Sequence, residues 1–257
     1  MAKSEGGIGE TIKTVVWALL IAGVFRTLFF QPFWIPSESM KSTLLIGDFI
    51  FVNKMAYGYS RYSCPFGICP ISGRILGSAP QRGDVVVFRH PVNGADMIKR
   101  LVGLPGDTIQ MKQGVLYING AAAPQVADGA FEEVFEPQGP MGNRPRCENA
   151  PNLGEICQKP RFIETLPEGK QHTVLNLEDG PGDNTDVYTV PEKHYFFMGD
   201  NRDNSLDSRF AQTSGGVGFV PEEYLIGRAD RVVFSSAGTR MLYFWTWRSD
   251  RYLQAVE

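Results

Sequence analysis

Residues 15–25 run without a single charged side chain. With Ile12 and the flanking Thr27-Leu28-Phe29-Phe30 the apolar stretch reaches about 19 residues, roughly 28 Å as a helix, enough to cross a hydrocarbon core. Arg26 can snorkel to the headgroups, and Phe29, Phe30, Phe33 and Trp34 provide interfacial aromatics. A buried core helix and a cleavable secretory signal compete with this reading. A signal has an apolar region of about 7 to 15 residues and a small-residue cleavage site, whereas large aromatics and Pro32 follow here. The expectation is an uncleaved single-pass anchor over 12–30 after a short tail over 1–11. Lys3 and Lys13 are balanced by Glu5 and Glu10, so the positive-inside rule does not orient it.

Beyond the anchor the composition is that of a globular protein, 43% apolar and 21% charged. A net charge of −3 with no basic block speaks against nucleic acid as a partner. Short apolar runs separated by turn signals predict strands over 48–53, 84–89, 97–102, 108–112, 114–118 and 193–198, with Asn119-Gly120 as a hairpin turn. Helical periodicity is hard to find outside the anchor. From 121 to 190 the chain turns to Pro, Gly, Asn and Glu, which suggests an insertion with long loops. The expected division is a first core segment over 31–120, the insertion over 121–190, and a second core segment over 191–257 that ends in an aromatic run. That run, Leu242-Tyr243-Phe244-Trp245-Thr246-Trp247, suits core packing and bilayer contact equally.

Cys64 and Cys69, and Cys147 and Cys157, form two local pairs. Outside the cytoplasm each pair can close a small loop, the second contributing roughly 3 kcal/mol in the chain-entropy model. Free thiols or a metal-holding pair stay open at this stage, although the spacing is not that of a zinc motif and the chain has three histidines. No metal and no organic cofactor is expected.

Candidate chemistry begins at Ser39, in Phe33-Trp34-Ile35-Pro36-Ser37-Glu38-Ser39-Met40, a short distance past the anchor. A serine hydroxyl is a weak nucleophile without a base. His90, His172 and His194 fit no recognisable triad pattern. Lysine serves if burial strips its charge, and a pKa near 8 to 9 needs roughly 2 to 3 kcal/mol of destabilisation of the ammonium. On a strand Lys99 shares a face with Met97 and Leu101, so it stands on an apolar side. The competing readings are an edge lysine reaching water and a serine that merely ends the anchor's exit turn. Lys41 is a weak rival base, and no S-x-x-K spacing is present.

In order and wording these segments resemble the bacterial type I signal peptidases, or leader peptidases. The resemblance is carried by Gln31-Pro32-Phe33-Trp34-Ile35-Pro36-Ser37-Glu38-Ser39-Met40, by Gly47-Asp48 with Val52-Asn53-Lys54, by Arg82-Gly83-Asp84-Val85-Val86-Val87-Phe88 with Ile98-Lys99-Arg100-Leu101-Val102-Gly103-Leu104-Pro105-Gly106-Asp107, and by Met198-Gly199-Asp200-Asn201-Arg202-Asp203-Asn204-Ser205 through Arg209. It implies a mainly β fold with an inserted cap, and a body on the trans side of the inner membrane, in the periplasm. It implies Ser39 as nucleophile, Lys99 as general base, Ser37 as an oxyanion donor beside the Ser39 N–H, and Ser205 as the residue orienting the Lys99 amine. Asp207 and Arg209 would form a supporting ion pair, and Ile35, Pro36, Met40 and Ile98 would line shallow substrate pockets. The implied substrates are preproteins still carrying their signal peptides, cut after small-x-small motifs. A specialised Ser-Lys maturation peptidase and a non-catalytic tethered scaffold are the alternatives. Two departures stand out: a single anchor where some relatives have two, and Glu38 where the family often has a small residue.

Overall fold

The computed structural model describes residues 7–64, 67–139, 142–238 and 243–257. Lys3, Glu5 and Leu242 lie outside them. One helix, Ile8–Leu28, leads into a body made almost entirely of strands. The helix starts four residues before the expected anchor, because Gly9-Glu10-Thr11 continue the turn, and it stops two residues earlier, where Phe30 enters a strand. None of its residues is buried, so the apolar side chains of residues 12–25 remain uncovered. Its exit is fixed by Tyr59 Oη and Lys54 N–H, which donate to the Leu28 and Phe29 carbonyls.

Seven strands form one antiparallel sheet in the order Phe30–Trp34, Asp48–Asn53, Leu225–Ser235, Val85–Arg89, Asp96–Gly103, His194–Met198 and Val220–Pro221. The run Val85-Val86-Val87-Phe88 occupies its middle and is buried on both sides. Val85 and Val87 join Ile35, Met40, Leu44, Ile50 and Val52 in one cluster, while Val86 and Phe88 join Leu101, Tyr195 and Phe197 in another. Strand alternation splits a continuous apolar run between two cores, which is why it shows no apolar–polar period.

A four-stranded sheet built on Thr108–Lys112 and Val115–Ile118 packs a third cluster with Phe196 and Met198. Its hairpin turns through Asn119 and Gly120, both at positive φ, as a two-residue turn of this hand requires. The region expected to be an insertion with long loops carries such loops and also two ten-residue strands, Gln125–Val134 and Ile156–Thr165, with Gln171–Leu175 beside them in a three-stranded sheet. Gly129, Pro160 and a high Glu content mask these strands in sequence. The exposed positions of Gln125–Val134 also dilute its apolar pattern.

Phe88 is fully buried and stacks on Phe197 at a centroid distance of 4.5 Å. Phe88→Ala is expected to cost about 3–5 kcal/mol. The thermal midpoint of the full-length protein in detergent should fall by on the order of 10 °C, and a shift below about 2 °C would contradict this packing.

Candidate active site

Ser39 lies in the loop between the first two strands. The loop is pinned because Ile35, Met40 and Leu44 sink into the core around it. Gly47 N–H donates back to Ile35 O at 2.9 Å. From the opposite side, Asn201 N–H donates to Ser39 O at 3.1 Å and Asn201 Nδ2 to Glu38 O at 3.1 Å. These contacts hold the hydroxyl in place from both flanks.

Lys99 comes from the strand Asp96–Gly103, in register with Val86. Its amine lies 2.6 Å from Ser39 Oγ and donates to Ile98 O at 3.0 Å. At 3% exposure the amine is nearly dry. Burial lowers its pKa to about 8, with Arg209 pushing the same way and Asp207 and Asp200 opposing. The next residue, Arg100, is wholly buried and makes a two-point contact with Asp200, at 2.8 Å on each nitrogen. This contact ties the lysine strand to the segment after Met198. Burial works against the Asp200 carboxylate, but the Arg100 charge and hydrogen bonds, with His172 and Thr43, together outweigh it and keep its pKa low.

The polar run after Met198 closes around this pair. Asp207 is held by Arg209 Nε and Nη2, each at 2.9 Å, and by Gly199 N–H at 3.0 Å. Burial raises the cost of its charge, yet Arg209 keeps the carboxyl ionised below its ordinary range. Gly199 must lack a side chain, because a Cβ there would stand 2.3 Å from Ser205 Oγ and 2.5 Å from Ser39 O. Ser205 lines the same cleft as Ser39 and Lys99. Among the described residues its hydroxyl has no well-formed hydrogen bond and is not bonded to the Lys99 amine, though it lies near enough to Asp207 to add to that group's acidity. Ser37 Oγ is 3.5 Å from Ser39 Oγ. The Ser39 N–H donates to no group among the described residues.

The cleft over this pair has a volume of about 690 Å³, with Met97, Leu206 and Phe210 among its apolar walls. The four residues expected to line it are not among these wall residues. Ile35 and Met40 are 2% and 1% exposed, spent on holding the Ser39 loop, and Ile98 packs against the same core. Pro36 borders an adjoining depression with Glu38, Ile46 and Arg144, which shares Ser37, Arg146 and Asn204 with the cleft. The cysteine pairs Cys64–Cys69 and Cys147–Cys157 are each joined as a disulfide, and Arg146, beside the second, reaches the cleft wall.

A buried ionic cluster next to the serine escaped the sequence reading. Glu133, on the strand Gln125–Val134, receives Lys41 at 2.6 Å and Lys159 at 2.8 Å, and Glu38 lies 3.5 and 3.6 Å from the same two amines. Its members stand up to about 120 residues apart, so no local spacing announces it; the acidic residue beside Ser39 was the only hint. Glu133→Gln leaves two buried ammonium groups sharing Glu38 alone. A loss of about 3–5 kcal/mol in stability is expected, read from the thermal midpoint, and a loss below about 1 kcal/mol would mean the cluster is already well hydrated.

A buried hydroxyl within hydrogen-bond distance of a desolvated amine, at the base of an open cleft, is equipped for acyl transfer. Comparison with known proteins bears on this directly. The family model described as signal peptidase, peptidase S26, matches residues 8–234. Signal peptidase I of Rickettsia prowazekii (strain Madrid E) is 40% identical over 244 residues, covering 91% of this chain and 83% of that protein. Its counterpart in Rickettsia typhi (strain ATCC VR-144 / Wilmington) is 38% identical over 245 residues with the same shares. A crystal structure of a signal peptidase I from Enterococcus faecalis V583 overlaps 59% of this chain and 97% of its own at 26% identity, with a TM-score of 0.30. With a family match along most of its length and relatives near 40% identity, the chain belongs to the signal peptidase family, peptidase S26.

Proposed function

We propose that this peptidase is a membrane-anchored serine endopeptidase that removes N-terminal signal peptides from exported preproteins, with Ser39 and Lys99 as its catalytic dyad. The observation that carries the reading is the 2.6 Å contact between a dry Lys99 amine and Ser39 Oγ. Neutral Lys99 takes the Ser39 proton as Oγ attacks the scissile carbonyl carbon. The developing oxyanion is met by the free Ser39 N–H and the Ser37 hydroxyl, preorganised donors of a kind commonly contributing about 3 to 4 kcal/mol each. The Lys99 ammonium then protonates the leaving amine as the C–N bond breaks. In the second half it takes a proton from water, which attacks the ester and returns Ser39 to its hydroxyl form.

Ser205 orients the amine in this scheme: its buried, unpartnered hydroxyl shares the cleft with Lys99, and a rotation about χ1 redirects it. Asp207 and Arg209 stiffen the loop behind it. Cleavage after small-x-small sequences is the specificity we assign to this cleft, with Met97, Leu206 and Phe210 as the bulky apolar walls near Ser39 that would select against large side chains. The uncovered helix Ile8–Leu28, 21 residues or about 32 Å long, is read as a single pass through the inner membrane, with the body in the periplasm. Bilayer and preprotein are then the partners. Exposed Phe244, Trp245 and Trp247, on the C-terminal segment, suit the same interface.

Ser39→Ala and Lys99→Ala should each abolish processing of a preprotein by reconstituted enzyme while leaving membrane insertion intact; a fully active Lys99→Ala enzyme would remove the dyad. The base must be neutral to act, so kcat/KM should rise with pH through the depressed Lys99 value of about 8. Below that value it should fall about tenfold per pH unit. A flat profile between pH 8 and pH 5 would exclude lysine as the base.

A further inference from the structure

A second cleft, of about 710 Å³, opens beside the end of the N-terminal helix and shares no lining residue with the cleft over Ser39. Three guanidinium groups line it, from Arg26, Arg61 and Arg89, against one carboxylate, Asp96. Arg89 is paired with Asp96 at 3.1 Å and donates to Gly94 O at 2.8 Å. Arg26 and Arg61 have no ion pair among the described residues; Arg61 lies over the Tyr62 ring, 5.0 Å from its centroid. The positive charge here is therefore only partly compensated. Lys54, behind the cleft, feels it: burial chiefly, and then the Arg26 charge, lower its pKa to about 8.

His90 adds an independent observation at this cleft. It lines the cleft and is only 3% exposed. Its Nδ1 accepts from the Val92 and Asn93 N–H groups at 3.1 and 3.4 Å, so in its neutral form the ring carries its proton on Nε2. That Nε2–H has no partner among the described residues. A cleft lined by two guanidinium groups without ion pairs, and by a histidine whose buried donor has no partner among the described residues, suits an anionic acceptor.

We propose that this cleft binds the phosphate of an anionic phospholipid headgroup. The inference rests on the anchor reading, because Arg26 stands in the last turn of the helix, within about 5 Å of the hydrocarbon edge if the helix spans the bilayer. Phosphate on lipid is favoured over free phosphate by that location alone. An overall negative headgroup is favoured over a zwitterionic one, because a quaternary ammonium would meet mostly guanidinium groups. A headgroup held here would fix the height and rotation of the body on the membrane, and hence of Ser39 relative to a substrate in the bilayer.

The test uses the full-length protein in neutral detergent at low salt, titrated calorimetrically with dihexanoyl phosphatidylglycerol, dihexanoyl phosphatidylcholine or inorganic phosphate. Saturable binding of phosphatidylglycerol, at least about tenfold tighter than phosphatidylcholine and weakened at least about tenfold in Arg61→Gln/Arg89→Gln, is expected. Inorganic phosphate should compete only weakly. Equal binding of the two lipids, or an unchanged double variant, overturns the proposal; phosphate binding as tightly as phosphatidylglycerol overturns the lipid assignment. The double variant should still cleave a detergent-soluble signal peptide at the wild-type rate, which establishes that it is folded. Flotation with phosphatidylcholine vesicles reads anchoring separately. Failure to float overturns the anchor reading and the headgroup proposal with it, whereas flotation without any preference for phosphatidylglycerol in titration overturns the headgroup proposal alone.

Discussion

The removal of water from one ammonium group governs the architecture around Ser39. Lowering the Lys99 pKa from its ordinary 10.5 to about 8 corresponds to a net destabilisation of the charged form by roughly 3 kcal/mol, in which lost hydration outweighs the attraction of Asp207 and Asp200. The fold obtains it by placing Lys99 on a strand in the interior of a sheet that is buried on both faces. Asp207 and Asp200 lie close enough to draw the proton back. Each is already engaged by its own arginine, Arg209 and Arg100, so neither is left as an open counter-charge for the amine. The arginines thus protect the neutrality of the lysine as well as fixing the loop after Met198.

Position matters as much as charge. Ser39 sits on an irregular loop, yet loops that carry chemistry have to be held as firmly as strands. Here apolar anchors on both sides, the Asn201 contacts and the Glu38–Lys41–Glu133–Lys159 cluster do this. The last of these couples the loop to the three-stranded sheet of the middle region. Glu38 therefore links the loop of Ser39 to a part of the chain that contributes no wall residue from its first strand to the cleft.

Much of this could be read before any coordinates. The strands at 48–53 and 108–112 fall where alternation and turn signals put them, and the Asn119-Gly120 hairpin forms. Lys99 was visible as a lysine on an apolar strand face. What could not be read depends on partners distant in sequence. The strand Leu225–Ser235 fills the gap between Asp48–Asn53 and Val85–Arg89, and nothing local marks it as central. The resemblance implied Ile35 and Met40 as pocket walls, but a loop that must be pinned spends its largest apolar side chains on the core. The ionic cluster at Glu133 and the unmet Nε2–H of His90 appear only once the chain is folded.

The central claim, a lysine kept neutral next to a serine, is most directly tested by the ionisation of that single amine. The Nζ nitrogen chemical shift of Lys99 in full-length protein labelled on lysine nitrogen, assigned by comparison with Lys99→Arg, should titrate with a midpoint of about 8. A midpoint at the ordinary lysine value of 10.5 would mean that the amine is hydrated and charged at working pH, and would contradict the account.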